Sequence, residues 1–144
     1  MLIFEIISGS NILIPFYREN SLEVSDDIDA EDGAAVSIAL RQNGKITAAA
    51  TLSYRFGVYI LDYIAVDKSL RRNGVGTDIL SEILNKARAL GADKVYITAK
   101  SPEFFKSQGF FEGSPQGVDM NADCAGCPEY NNGCTKLPMV IDLK

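Results

Sequence analysis

Histidine is absent from the 144 residues, and that absence removes several kinds of chemistry at once. No Ser-His-Asp or Cys-His triad can be assembled, nor any zinc site that needs imidazole. A general base must be Asp, Glu, Tyr, Cys, Lys or a water that one of them holds. Long apolar runs are missing too. No segment approaches the roughly 20 apolar residues that span a bilayer, so no membrane partner is expected. Residues 1–7 have no basic segment and contain Glu5, which suits an opening strand and not a signal peptide. Basic residues are outnumbered: 14 Lys and Arg against 19 Asp and Glu leave a net charge of −5, which argues against a nucleic-acid partner. Without an export signal the cytoplasm is the expected location, where cysteines stay reduced.

What is present suits one domain. The length and the 47% hydrophobic content can bury a real core. The chain is organised around residues 61–90. Ile60, Ile64 and Val66 alternate, with Asp62 between them, as in a strand. Further on, Ile79, Leu80, Ile83, Leu84, Ala87 and Leu90 form the apolar stripe of a one-faced helix, and Gly91 suits its C-terminal cap. Between strand and helix lie Arg71, Arg72, Asn73, Gly74, Val75, Gly76 and Thr77. Glycines admit an anion close to the backbone, a helix start offers unpaired amides and a positive dipole end, and two arginines add charge. This is a phosphate-binding device. It is no Walker loop, because the Gly-Lys-Ser/Thr ending is absent, and a dinucleotide fold lacks its third glycine and further strand–helix units.

The rest of the chain supplies context. Residues 2–7 read as a strand, and residues 11–19 as a short helix or irregular segment, since Pro15 limits helix before it. Residues 25–33 form an acidic loop, either a solvated surface or a lure for a cationic amine. Strands follow at 35–40, 45–55 and 58–66. Asn43-Gly44 marks one hairpin and Gly57 a turn. Residues 94–98 form a short β-branched strand, and Ser101-Pro102-Glu103 opens a second helix that ends at Gln108-Gly109.

Arg71-x-x-Gly74-x-Gly76 resembles the acyl-CoA loop of the GNAT acetyltransferase superfamily, Gln/Arg-x-x-Gly-x-Gly/Ala. Phe104-Phe105-Lys106-Ser107-Gln108-Gly109-Phe110 is similar to the same family's Phe-Tyr-x-x-x-Gly-Phe junction, and the two motifs cover roughly residues 34–111 in the family's order. The resemblance implies an α+β fold: a mixed, largely antiparallel sheet flanked by helices, splayed between the strand ending at Val66 and the strand at 95–98. Acetyl-CoA would lie in that wedge as co-substrate. Backbone groups of Ile64, Ala65 and Val66 would pair with its pantetheine arm. The loop amides would hold the pyrophosphate, with Phe105 and Gln108 nearby. The implied reaction is direct attack of a primary amine on the thioester, with a small molecule or a peptide as acceptor. Family members of this size often form homodimers, and the resemblance extends that expectation to this chain.

Two positions depart from the family pattern. Some members carry a carboxylate base on the strand before the loop, about two residues earlier than Asp62, where this chain has Ile60. Asp62 is the base candidate, because strict alternation puts it on the face of Ile64 and Val66. The other reading is a carboxylate at a solvent-facing sheet position or one paired with a nearby cation. The family's general acid is a tyrosine at the position of Phe105, which has no proton to give. Either the thiolate leaves unaided, or another hydroxyl such as Tyr63 or Tyr96 substitutes, or the chain binds acyl-CoA without efficient turnover.

All three cysteines, Cys124, Cys127 and Cys134, fall in an apparent insertion at about residues 112–136, before a final strand at 137–143. Cys-x-x-Cys suits a metal knuckle or a redox pair, and zinc would need a fourth ligand such as Asp119, Asp123 or Glu129. Free thiols packed in a loop are the plainer reading. The competing functions are thus a non-catalytic acyl-CoA-binding module and a metal- or redox-responsive regulator.

Overall fold

The computed structural model describes residues 3–20, 22, 24, 26–28, 34–71, 74–115 and 137–143. Strand β1 (Phe4–Ile7) leads through a 3-10 turn (Ser10–Leu13) into the short helix α1 (Ile14–Glu19). Strands β2 (Ala34–Gln42), β3 (Lys45–Arg55) and β4 (Val58–Val66) follow, then a 3-10 turn (Lys68–Leu70) and the long helix α2 (Val75–Ala89). Strand β5 (Lys94–Ala99), helix α3 (Pro102–Ser107), the two-residue β6 (Phe111–Glu112) and β7 (Leu137–Asp142) complete the described chain. The sheet order is β1-β2-β3-β4-β5-β7-β6, with every pair antiparallel except β4–β5. This is the mixed, largely antiparallel sheet that the resemblance implies.

Each face of the sheet has its own core. On one, the stripe Ile79, Leu80, Ile83 and Leu84 of α2 packs on Ile38, Leu40, Ala50, Leu52 and Leu61. On the other, Leu13, Phe16 and Tyr17 pack on Ala39, Ala49 and Ala65. Strand β3 is therefore buried on both faces, and its small residues from Ala48 to Ala50 let the two helical layers approach. Pro15 falls within the first two residues of α1, where its missing amide costs no hydrogen bond, so the α-helix starts there and only a 3-10 turn precedes it.

Two features of β4 set up the site. It pairs with β5 only at Tyr59–Val95 and Ile60–Tyr96, after which the strands part; β4 keeps β3 and β5 keeps β7. The sheet opens there as a wedge, as the resemblance implies. Within β4, Tyr63 faces Thr51 and Leu61 faces Leu52, which leaves Asp62 as the extra residue of a β-bulge.

Both hairpin turns have positive φ at two successive residues: Asn43 (53°) with Gly44 (77°), and Phe56 (57°) with Gly57 (77°). Asparagine tolerates this left-handed conformation and phenylalanine does not, at a cost of about 1 kcal/mol. Phe56 is 65% exposed, so its ring recovers little by burial. Phe56→Asn is expected to stabilise the fold by about 0.5–1 kcal/mol, read as a raised midpoint in urea unfolding with an unchanged slope.

Candidate active site

A cleft of about 700 Å³ occupies the wedge. One wall is β4, through Tyr63, Ile64, Ala65 and Val66; the other is β5 and the start of α3, through Ile97, Thr98, Lys100, Ser101, Phe104 and Phe105. Arg71, Gly74, Gly76 and Thr77 form its mouth, and Asn20 and Leu22 close it on the α1 side. Past Ile60, the edge of β4 that faces the cleft has no strand partner among the described residues, so it presents backbone donors and acceptors to whatever enters.

The mouth is built locally. Asp67 accepts hydrogen bonds from the Ser69 amide (2.9 Å) and hydroxyl (2.8 Å), which hold its carboxyl below the usual range and turn the chain away from β4. Arg71 then folds back: its Nε donates to the Val66 carbonyl (3.2 Å) and its guanidinium to Asn20 Oδ1 (3.4 Å). This ties the loop to the end of α1. Gly74 is the N-cap of α2 at φ +79°, with no side-chain cap, and the first helical bond runs from the Asp78 amide to its carbonyl (3.0 Å). The amides of Val75, Gly76 and Thr77 therefore have no acceptor within the helix, and the positive end of the dipole adds to them. A Cβ on Gly76 would stand 3.5 Å from the Phe104 ring, so glycine thins the wall where α2 meets α3.

Most of the site residues expected from the sequence come together here: Ile64, Ala65, Val66, Arg71, Gly74, Gly76, Thr77 and Phe105 all line the cleft. Val75 does not present its side chain, which is buried in the core, leaving only its amide. Gln108 caps the C-terminal end of α3 and bonds to Ser107, away from the cleft lining. Arg72, Asn73, Cys124, Cys127 and Cys134 lie outside the described residues. Among the described residues, no group of three His, Cys, Asp or Glu side chains is placed to hold a metal ion. No helix among them is long and apolar enough to cross a membrane.

Asp62 departs from expectation. Strict alternation would place it with Ile64 and Val66, but the bulge adds a residue and turns its carboxylate to the opposite face, where it accepts from Ser53 Oγ and pairs with the Arg55 guanidinium. Its side chain is 8% exposed and is not among the cleft's lining. Asp26 and Asp27 of the acidic loop are also engaged, with Arg18 (2.7 Å) and Asn11 (2.7 Å). Phe105 is buried edge-on between Phe104 and Phe110, so the α3 wall near it is aprotic.

Sequence reasoning missed Asn20, Leu22, Lys100 and Phe104 as walls. Asn20 and Leu22 carried no local signal, because their approach depends on how α1 docks. Lys100 directly precedes a clear helix start, and a strand's C-terminal end beside a phosphate loop could have flagged it.

Residues 6–112 match the model of the acetyltransferase (GNAT) family. That is most of the chain, and the chain belongs to this family. Solved structures share the fold at low sequence identity. ElaA from Escherichia coli superposes with a TM-score of 0.73 at 18% identity, over 99% of this chain and 100% of that one. The ribosomal-protein-S18-alanine N-acetyltransferase of Escherichia coli gives 0.71 at 16% identity, over 100% and 95%. N-acetylglutamate synthase from Neisseria gonorrhoeae, solved with coenzyme A and N-acetyl-glutamate, gives 0.72 at 18% identity; all of this chain matches, but it spans only 35% of that protein.

Proposed function

We propose that this chain is a single-domain N-acetyltransferase that moves the acetyl group of acetyl-CoA to a primary amine. One observation carries the reading: a strand edge with no partner among the described residues leads along the cleft to the N-terminus of α2 at a left-handed glycine. That combination fits a long ligand with an amide-bearing arm and a phosphate end. The arm adds to β4 at Ile64 and Val66 as an extra strand, and the amides of Val75, Gly76 and Thr77 hold the pyrophosphate. Arg71, tied to Val66 and Asn20, adds positive charge at the mouth. The apolar walls Ile97, Phe104 and Phe105 exclude water from the thioester, and alignment of the two reactants supplies much of the rate.

The acceptor nitrogen attacks from the α1 side, where Leu22 and Tyr63 stand. The acceptor is a small molecule or a peptide terminus. Asp26 pairs with Arg18 and Asp27 accepts from Asn11, while Asp29, Glu31 and Asp32 of the acidic loop lie outside the described residues. Asp62, buried against Arg55, supports the bulge and is not the base in this reading; a water in the cleft takes the ammonium proton.

Thiol release from acetyl-CoA, measured with L-lysine, spermidine, an aminoglycoside and a free-N-terminal alanyl peptide, tests the proposal. Amine-dependent release with at least one of them is expected. Tight acetyl-CoA binding with no amine-dependent release would instead favour a non-catalytic binding module, a reading the aprotic Phe105 motivates.

A further inference from the structure

Acetyl transfer must also move a proton, and the cleft holds one group built to handle it. Strands β4 and β5 part after Ile60 and Tyr96, Tyr63 is the first β4 residue beyond that pair to line the cleft, and the anion site is at the C-terminal end of β4. At ~3.3 Å per residue, Tyr63 stands about 10 Å along β4 from the last β4–β5 pair and Val66 about 20 Å, so of the β4 lining Tyr63 is farthest from the mouth. A linear ligand anchored by phosphates at the mouth therefore brings its far end to Tyr63. The remaining proton-bearing groups of the lining are less suited: the hydroxyls of Thr77, Thr98 and Ser101 are aliphatic and far weaker acids than a phenol, and Asn20 carries only an amide. Arg71 stays charged and is bonded to Val66 and Asn20, and Lys100 and Ser101 follow the C-terminal end of β5, near the mouth. Phe105, on the opposite wall, has no proton.

Tyr63 is also braced from behind. Its ring stacks on Tyr17 with centroids 5.1 Å apart, and Tyr17 is fully buried. The Tyr17 hydroxyl meets Thr51 Oγ1 at 2.8 Å; Thr51 meets Ser37 Oγ at 2.9 Å, and Ser37 meets Ser10 Oγ at 2.7 Å. Thr51 is also the residue opposite Tyr63 in the β3–β4 ladder. Burial pushes the Tyr17 phenol well above its ordinary range, so it stays neutral and serves as an anchor. A buried polar chain is tolerated only when each member is satisfied, and this one fixes the ring that positions Tyr63.

We propose that Tyr63 is a catalytic residue, the proton shuttle between acceptor nitrogen and departing sulfur, and that Tyr17, Thr51 and Ser37 are its positioning residues. The inference rests on the acetyl-transfer reading above. As the nitrogen lone pair forms the C–N bond, the C–S bond breaks and its electron pair stays on sulfur. The phenol gives its proton to that sulfur and takes one from the nitrogen. Tyr63 ends as it began, and the products are an amide and a free thiol. The titratable and charged groups around it are Tyr17 on α1, Asp62 with Arg55 beside it in the sheet, and Arg71 and Lys100 across the cleft.

The test uses the full chain, acetyl-CoA and whichever amine of the panel gives the fastest thiol release. For Tyr63→Phe, kcat is expected to fall about 100-fold or more, with the acetyl-CoA Kd from calorimetry unchanged within about twofold. Thr51→Val should lower kcat about tenfold without changing that Kd, and Thr51→Ser should restore it. Tyr63→Phe with kcat within about threefold of wild type overturns the shuttle and leaves the transferase reading intact. An equal loss of kcat and acetyl-CoA affinity also overturns it, since Tyr63 would then be a binding wall. If the wild type binds acetyl-CoA and releases no thiol with any amine, the transferase reading falls, and the shuttle falls with it.

Discussion

Gly74→Asp is expected to weaken acetyl-CoA binding about 100-fold or more while leaving the melting temperature nearly unchanged. The two halves of that result have separate causes. Aspartate is among the best N-cap residues, tolerates positive φ better than most side chains, and complements the helix dipole, so α2 loses little. Space is no obstacle, since a Cβ at Gly74 meets nothing within 4 Å among the described residues. The carboxylate, however, would compete for the amides of Val75, Gly76 and Thr77 and set a negative charge where the pyrophosphate is to sit. At 4 Å and the effective dielectric of a partly exposed site, one such repulsion is worth about 4 kcal/mol, and residual screening lowers this to about 3. Gly74→Ala separates charge from conformation: it carries the strain of φ +79° without the carboxylate, so it should lose roughly 1 kcal/mol of stability and little affinity. Calorimetry with acetyl-CoA, alongside thermal unfolding, reads both effects. Tight binding by Gly74→Asp would remove the phosphate role of this helix start, and with it most of the functional argument.

The elements that carry this site were legible because their signals are local. The stripe from Ile79 to Leu90, the glycines of the loop and the apolar alternation of β4 each specify their element within a few residues. The Ser101-Pro102-Glu103 helix start and the Asn43-Gly44 turn are equally local. The bulge is not. Its existence depends on how β3 counts against β4, with Thr51 and Leu52 opposite Tyr63 and Leu61. One extra residue reverses the side from which the next side chain emerges, so a strict period of two puts Asp62 on the wrong face. Strand β3 concealed its pattern for another reason. With helices on both sides it is buried throughout its middle, and the alternation that normally separates core from solvent disappears. Tyr63 sat in plain view as one hydroxyl among several. Only the docking of α1, which brings Tyr17 behind it, distinguishes it from Tyr96, which pairs within the sheet and does not line the cleft.

The second large effect concerns the support of that bulge. Arg55→Met is expected to destabilise the fold by about 2–3 kcal/mol, because it leaves the Asp62 carboxylate in place without its cation. The side chain of Asp62 is 8% exposed and that of Arg55 26%, so the pair is partly desolvated and removal of one partner exposes the other to an uncompensated burial cost. The guanidinium is itself incompletely satisfied among the described residues, where its buried Nε finds no hydrogen-bond partner. The pair is therefore a poor source of net stability and a strong determinant of conformation. Asp62→Asn in the Arg55→Met background should recover much of the loss, since the neutral amide still meets Ser53 and no charge remains buried. A double-mutant cycle in urea is expected to give a coupling of about 1–2 kcal/mol, and strict additivity would show that the two side chains do not act as a pair. The functional consequence separates positioning from catalysis at Asp62. If the carboxylate only holds the bulge, the double variant keeps the register that aims Tyr63 into the cleft, and its kcat should follow the fraction folded. A base at Asp62 would instead leave that variant fully folded and inactive.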